Sequence, residues 1–191
     1  MNEAQTYQRI RHGFTIPELA VSAAIVAVVA GIALPRVNLH QFRIEAAVRV
    51  IQTTLQQAER EAVKRQHNFV VSFDVAGKRL RILDDLNNNS DADAGERVIW
   101  RTLDDGVKFA TPPAGFGGGA AQAVTGTGVK TVNGMPSLIY RRDGAASSDL
   151  QAFITSTRNV SADFRLLSIT RATGRVDWYK YNGSTWKRGS I

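Results

Sequence analysis

The apolar run FTIPELAVSAAIVAVVAGIAL, residues 14–34, contains no lysine, arginine or aspartate and sets the class of fold that the chain can adopt. A helix rises about 1.5 Å per residue, so these 21 residues span about 31 Å, the thickness of the hydrocarbon core of a bilayer. A single carboxylate, Glu18, interrupts the run. Because Arg9 and Arg11 precede it, the positive-inside rule keeps residues 1–13 in the cytoplasm and exports the rest. The segment therefore predicts one membrane-spanning helix followed by an exported domain.

The residues alone leave three interpretations of this segment open. A secretory signal peptide also has a basic region followed by an apolar one, but its apolar region is usually shorter. A plain single-pass anchor leaves Glu18 unexplained, because a carboxylate at membrane depth costs roughly 2.5–3.5 kcal/mol. In the third interpretation the carboxylate belongs to a processing and assembly signal.

The third interpretation comes from a family resemblance carried by RHGFTIPEL, residues 11–19. This run resembles the class III signal of type IV pilins and type II secretion pseudopilins. The resemblance implies that a prepilin peptidase cuts after Gly13, that the new N-terminal Phe14 is methylated, and that the apolar helix stays as an inner-membrane anchor. Glu18 would then pair with the new amine of a neighbouring subunit, because a buried charge without a partner is costly. Pro35 resembles the helix-bending proline of pilins.

The chain beyond Pro35 changes from a helical to a β pattern. Apolar residues recur at helical spacing at Ile44, Val48, Ile51, Leu55, Ala58 and Ala62. The opposite face carries Arg49, Gln52, Gln56, Arg60 and Lys64. We therefore expect one long helix from about Phe14 to Arg65, bent near Gly31 and Pro35, with its second half packed on its own domain.

From Asn68 onward, period-2 alternation and turn signals predict antiparallel strands. The predicted strands cover residues 68–74, 79–83, 97–103, 107–110, 137–141, 150–155, 165–170, 175–181 and 185–187. Eight of the 16 glycines lie between Gly106 and Gly134, which predicts a loop or an irregular edge. The fold class is α+β and pilin-like, with the long helix packed on one or two sheets. We expect a leader at 1–13, a transmembrane assembly helix at 14–35, an amphipathic continuation at 36–66 and a periplasmic β-rich domain at 67–191.

A second resemblance points within the pilins to the GspH/FimT group of minor pseudopilins. It is carried by AEREAVKR at 58–65, DDLN at 84–87, GERV at 95–98 and the Gly174-Arg175 pair. The resemblance implies a minor pseudopilin of a type II secretion system, assembling with other pilins into a pseudopilus for protein export. The alternative is a FimT-like minor type IV pilin that binds DNA. A free periplasmic protein, released by ordinary signal cleavage, is the third class.

The loop between the second and third predicted strands has the spacing of a calcium loop. Oxygen-bearing side chains stand at positions 1, 3, 5, 7, 9 and 12 of such a loop, at Asp85, Asn87, Asn89, Asp91, Asp93 and Glu96. Ser90 stands where the loop's glycine belongs, and strands rather than helices flank the loop. The two interpretations are a calcium site and a solvated acidic hairpin tip. No other cofactor is expected.

The net charge of +7 is concentrated at the C-terminal end, where residues 141–191 carry nine Lys or Arg against four Asp or Glu. Basic residues alternate there with aromatic ones, which suits phosphates and unpaired bases. The candidate DNA contacts are Arg171, Arg175, Lys180, Lys187 and Arg188. Some FimT-like pilins bind DNA through a Gly-Arg-x-Arg element, but Asp177 replaces the second arginine here. The other interpretation is a solvated basic face over Trp178 and Trp186.

The sequence predicts no catalytic site, so we expect a protein that is not an enzyme. There is no cysteine, and the three histidines His12, His40 and His67 are scattered. No HExxH motif or phosphate loop is present. The run GFGGGA at 115–120 fits GxGxxA but lacks the preceding strand and following helix that a dinucleotide site requires.

Overall fold

The computed structural model describes residues 14–33, 39–112 and 122–189 and contains two long helices. The first, α1, spans Ile16–Ala33, and the second, α2, spans Leu39–Arg65. The chain divides into two units, residues 1–38 and 39–191. The predicted continuity of the helix through Pro35, like the predicted leader at 1–13, falls outside the described residues.

The described residues of the second unit form eleven strands, all of them antiparallel to their neighbours. They are β1 (Asn68–Asp74), β2 (Arg79–Asp85), β3 (Arg97–Thr102), β4 (Val107–Phe109), β5 (Val124–Thr125), β6 (Lys130–Val132), β7 (Met135–Tyr140), β8 (Leu150–Ser156), β9 (Arg165–Ile169), β10 (Val176–Tyr181) and β11 (Trp186–Arg188). A short 3-10 helix at Ser161–Asp163 precedes β9. Nine of these strands were predicted within about two residues. The short strands β5 and β6 were not, and they lie in the glycine-rich region.

The strands form two sheets, which is one of the two arrangements, one sheet or two, that the sequence predicted. Sheet 1 has the order β3-β2-β1-β7-β6, and sheet 2 has the order β11-β10-β9-β8-β4, with β5 also paired to β8. The acidic loop at 86–96 joins β2 to β3, so strands flank it as predicted. β3 and β11, at the far ends of this order, are edge strands.

One face of α2 closes the core between the helix and the sheets. The six apolar residues that define the predicted stripe are all buried, and they join side chains of both sheets in one continuous cluster. Leu55, for example, has no exposed surface. The helix ends where Gln66 takes a φ of 62°, and its N–H donates to the carbonyl of Ala62 at 3.0 Å.

The polar face of α2 is narrower than the sequence predicted. Gln52, assigned to the solvent face, is 6% exposed, and its side-chain amide donates to the carbonyl of Val176 at 3.4 Å. A long polar side chain is accommodated there because the first residue of β10 offers its carbonyl as an acceptor. The solvent face instead carries an apolar stripe that the sequence analysis did not identify. It consists of Leu39, Phe42, Ala46 and Val50, all exposed.

The packing of α2 predicts a large loss of stability for Leu55→Ala. Removing a fully buried leucine side chain costs about 2–5 kcal/mol in the free energy of unfolding. Val63→Ala, in the same helix at a side chain that is 43% exposed, should change it by about 0.5 kcal/mol or less. Urea unfolding of the full chain in detergent, followed by circular dichroism, measures both variants. Equal midpoints for the two would contradict the described packing.

Candidate functional site

The first candidate site is the start of α1, where the structure places Glu18 against Thr15. The backbone N–H and the hydroxyl of Thr15 both donate to one carboxylate oxygen of Glu18, at 3.1 and 3.0 Å. The carbonyl of Thr15 accepts the N–H of Leu19 at 3.1 Å. A threonine followed three residues later by a glutamate is the sequence pattern of a capping box. Sequence reasoning missed this role, although Thr15-Ile16-Pro17-Glu18 carries the signal.

The apolar side chains of α1 are exposed. Those of Ile16, Leu19, Val21, Ile25, Val26, Val28 and Val29 are between 59% and 88% exposed. Phe14, the proposed new N-terminus, is 82% exposed, while Gly13 lies outside the described residues. Among the helices described, none has both the length and the hydropathy that a membrane crossing requires. The apolar run read from the sequence ends at Leu34, which the described part of α1 does not reach.

The second candidate site is the acidic loop at 86–96, and its anchor is Asp85 at the end of β2. Asp85 is fully buried, and it accepts the backbone N–H groups of Asn89 and Ser90 at 3.0 and 2.9 Å. Burial raises the pKa of the Asp85 carboxyl, and these hydrogen bonds oppose the rise. Ser90 takes a φ of 72°, the left-handed region that favours glycine. The backbone there thus has the conformation that the missing glycine would provide.

The structure brings most of the predicted loop ligands together. The side-chain amides of Asn87 and Asn89 each donate to Asp93 at 2.7 Å. These two bonds lower the pKa of the Asp93 carboxyl. Glu96 accepts the N–H of Leu86 at 2.9 Å and that of Asp93 at 3.1 Å. The acids therefore organise the hairpin tip through hydrogen bonds.

A metal site is not evident from side-chain clustering in the described ranges. There, no group of three or more His, Asp or Glu side chains is arranged as a ligand set. Burial lowers the pKa of the Arg81 guanidinium on β2, and the carboxylate of Asp91 opposes that shift. Calcium binding by the loop stays a prediction.

The third candidate site is the basic C-terminal region, in which Asp177 binds two of the basic side chains. Arg175 lies 3.3 Å from a carboxylate oxygen of Asp177, and Arg188 contacts the same oxygen. The residue that departs from the Gly-Arg-x-Arg element thus forms ion pairs with two of the five predicted DNA contacts, and its one negative charge offsets one of their two positive charges. Arg171 is exposed in the turn before β10.

The two lysines of this region lie directly opposite each other on β10 and β11. Lys180 pairs with Lys187 in the register, and both line a shallow groove beside α2 together with Arg49 and Glu45. The nearby tryptophan rings pack against other side chains of the domain. Trp178 packs on the core, and the Trp186 ring lies 6.0 Å from Phe153 and 5.3 Å from Tyr181. DNA binding by this region stays a prediction.

Comparisons with known proteins point to one family. The family model described as type II transport protein GspH matches residues 47–174, from the first half of α2 to the turn before β10. Among solved structures, the minor pseudopilin EpsH from the type 2 secretion system of Vibrio cholerae is similar, with 12% identity and a TM-score of 0.47. The match covers 78% of this chain and 97% of that one. No curated protein matches the chain.

The loop geometry allows a direct test of the calcium prediction. Calorimetry of the full chain in detergent should show binding heat with millimolar calcium if the six oxygen ligands act together. Asp93→Ala should abolish that heat, because its carboxylate is the acceptor that two loop amides share. Asp105→Ala, an exposed acid in another turn, serves as the control. A titration without heat for the wild-type chain would mean that the loop is only a hairpin tip.

Proposed function

The chain belongs to the GspH family of type II transport proteins, and we propose that it works as a minor pseudopilin of a type II secretion system. In this proposal α1 anchors the protein in the inner membrane and then packs beside the helices of other pilins. The β-rich unit lies in the periplasm and forms part of a pseudopilus that exports proteins. Its role is structural rather than catalytic.

One observation carries the proposal: α1 is an apolar helix whose described side chains are exposed. A contiguous apolar surface of this kind marks a contact with lipid or with another protein. The sequence extends it to a 21-residue run from Phe14 to Leu34, enough to cross a bilayer as a helix. Lipid and neighbouring helices are the two surroundings that a pseudopilin's N-terminal helix would meet in turn.

The exposed stripe on α2 supports assembly outside the membrane as well. Leu39, Phe42 and Val50 are 61%, 65% and 42% exposed, and together with Ala46 they repeat at intervals of three or four residues. That spacing places them on one side of the helix. The buried face of α2 binds its own domain, so the stripe is available to a neighbouring subunit.

The residues at the start of α1 fit a processing step followed by charge pairing. Cleavage after Gly13 by a prepilin peptidase would leave Phe14 with an α-amino group that carries positive charge at neutral pH. The carboxylate of Glu18 would need such a partner once the helix is packed away from water. Its bonds to Thr15 hold the carboxylate at the N-terminal end of the helix, where the helix dipole also favours negative charge.

A substitution of Glu18 can separate its role in capping the helix from its proposed role in pairing with a neighbouring amine. Glu18→Gln keeps the capping-box pattern, which accepts glutamine as well as glutamate, but removes the charge. We expect unchanged helix content and at least about a tenfold loss of incorporation into sheared pseudopili. The variant would leave the α-ammonium group of the neighbouring subunit buried without a partner, and an unpaired buried charge costs about 3–5 kcal/mol. Quantitative immunoblotting of the sheared and membrane fractions measures this.

Thr15→Ala is the matched control, since it removes the hydroxyl partner and keeps the charge. It should assemble within about threefold of the wild type, because losing a cap costs about 1 kcal/mol. The pairing would be refuted by a Glu18→Gln protein that assembles normally. In that case Glu18 would act only on the helix N-terminus.

A further inference from the structure

The outer edge of sheet 1 carries two arginines that form no ion pair with any acid in the described part of the chain. β3 pairs with β2 on one side only and is the terminal strand of its sheet. Arg97, Ile99 and Arg101 alternate along β3 and therefore share one face. That face lines a groove of about 230 Å³ between α2 and the sheet.

The floor of this groove, which we call the α2–β3 groove, is apolar. Ala58, Phe69 and Ile82 form the floor with exposures of 2%, 6% and 8%, and Ile99 adds a half-buried side chain from β3. The groove can thus accept an apolar side chain beside its charged rim.

The acids of the groove are already engaged by other bases. Asp84 lies opposite Arg97 in the strand register, but one of its oxygens accepts Arg65 at 2.8 Å and the other contacts His67. Glu61 also binds Arg65, at 2.7 Å. No ion pair to Arg97 or Arg101 is formed within the described part of the chain. The lining of the groove as a whole carries three arginines against two acids, a net charge of +1.

We propose that the α2–β3 groove and the free edge of β3 bind an extended acidic segment of a partner protein, added as a further strand of sheet 1. Residues 97 and 101 are about 13 Å apart along an extended strand. A partner strand with acidic residues four positions apart therefore places one carboxylate near each arginine. The residue midway between them lies opposite Ile99 and enters the groove if it is apolar. The recognised pattern is acid-x-apolar-x-acid.

The charge of β3 disfavours a second copy of the chain as the occupant. Antiparallel pairing of two β3 strands in this register places Arg97 of one copy opposite Arg101 of the other. Like charges directly opposite in a sheet are destabilising. Charged side chains also protect edge strands from aggregation, but that role requires neither a groove nor a partner of matching spacing.

The test uses the full chain in detergent and a fluorescent peptide, acetyl-Thr-Glu-Thr-Leu-Thr-Glu-Thr-amide. Fluorescence anisotropy should show saturable binding. A peptide with lysine in place of both glutamates should bind at least tenfold more weakly. So should a shifted peptide, Thr-Thr-Glu-Leu-Glu-Thr-Thr, in which the acids lie on the other face from the leucine. Equal binding of either control peptide would overturn the proposal.

Variants of the chain locate the contact. The double variant Arg97→Gln/Arg101→Gln should lose at least tenfold in affinity, while Arg60→Gln, an exposed base of α2 outside the groove, should not change it. Circular dichroism checks that both variants fold. Affinity unchanged in the double variant would assign the peptide to another basic surface and contradict the proposal. Sedimentation that shows a chain dimer dissociated by the peptide would assign the edge to a second copy and would also overturn it.

Discussion

Burial of one face of α2 against both sheets is the contact on which the rest of the structure depends. The helix supplies Ile44 through Ala62 to a single core that also takes in β-strand residues from each sheet. Because that face is used within the unit, the opposite face is available to partners, and it carries the apolar stripe from Leu39 to Val50. The same packing places the end of α2 beside β2 and β3, which creates the α2–β3 groove. One packed face thus determines which surfaces the molecule presents.

The N-terminal helix imposes a second constraint, because no described residue of its own unit buries its apolar side chains. Exposed apolar surface is costly in water, and in the proposed assembly lipid or neighbouring chains cover it. In the same proposal the carboxylate of Glu18, which hydrogen bonds to Thr15 hold at the helix N-terminus, pairs with a cationic group of a neighbouring subunit. Together, the exposed apolar helix and this charge pair would favour ordered lateral packing.

Much of the fold could be predicted from the sequence where a pattern repeats. The stripe of α2 has helical spacing, and strands such as β1 and β8 are seven-residue runs that are largely buried. β5 and β6 have two and three residues, too few for a period to show, and they depend on pairing with β8 and β7. Gln52 was misplaced because its burial depends on an acceptor from β10, 124 positions away in sequence. Tertiary contacts of this kind leave no local signal.

At the candidate sites, too, local contacts could be predicted from the sequence and tertiary contacts could not. Asn87, Asn89 and Asp93, three residues of the predicted calcium loop, lie together because neighbours in sequence meet in a hairpin tip. The engagement of Asp177 with two arginines could not be read from charge counts, since it depends on strand pairing between β10 and β11. Arg97 and Arg101 were also overlooked as a pair. Their significance comes from Asp84 being occupied by bases from elsewhere in the chain.

We propose that this chain is processed as a pilin and keeps its apolar helix for assembly. Intact-mass and N-terminal peptide mass spectrometry of the protein purified from the inner-membrane fraction distinguishes this processing from ordinary signal cleavage. We expect a mature chain that begins with Phe14 and carries one added methyl group on its α-amine. A mature chain that begins near residues 31–36, or one that retains residues 1–13, would contradict it.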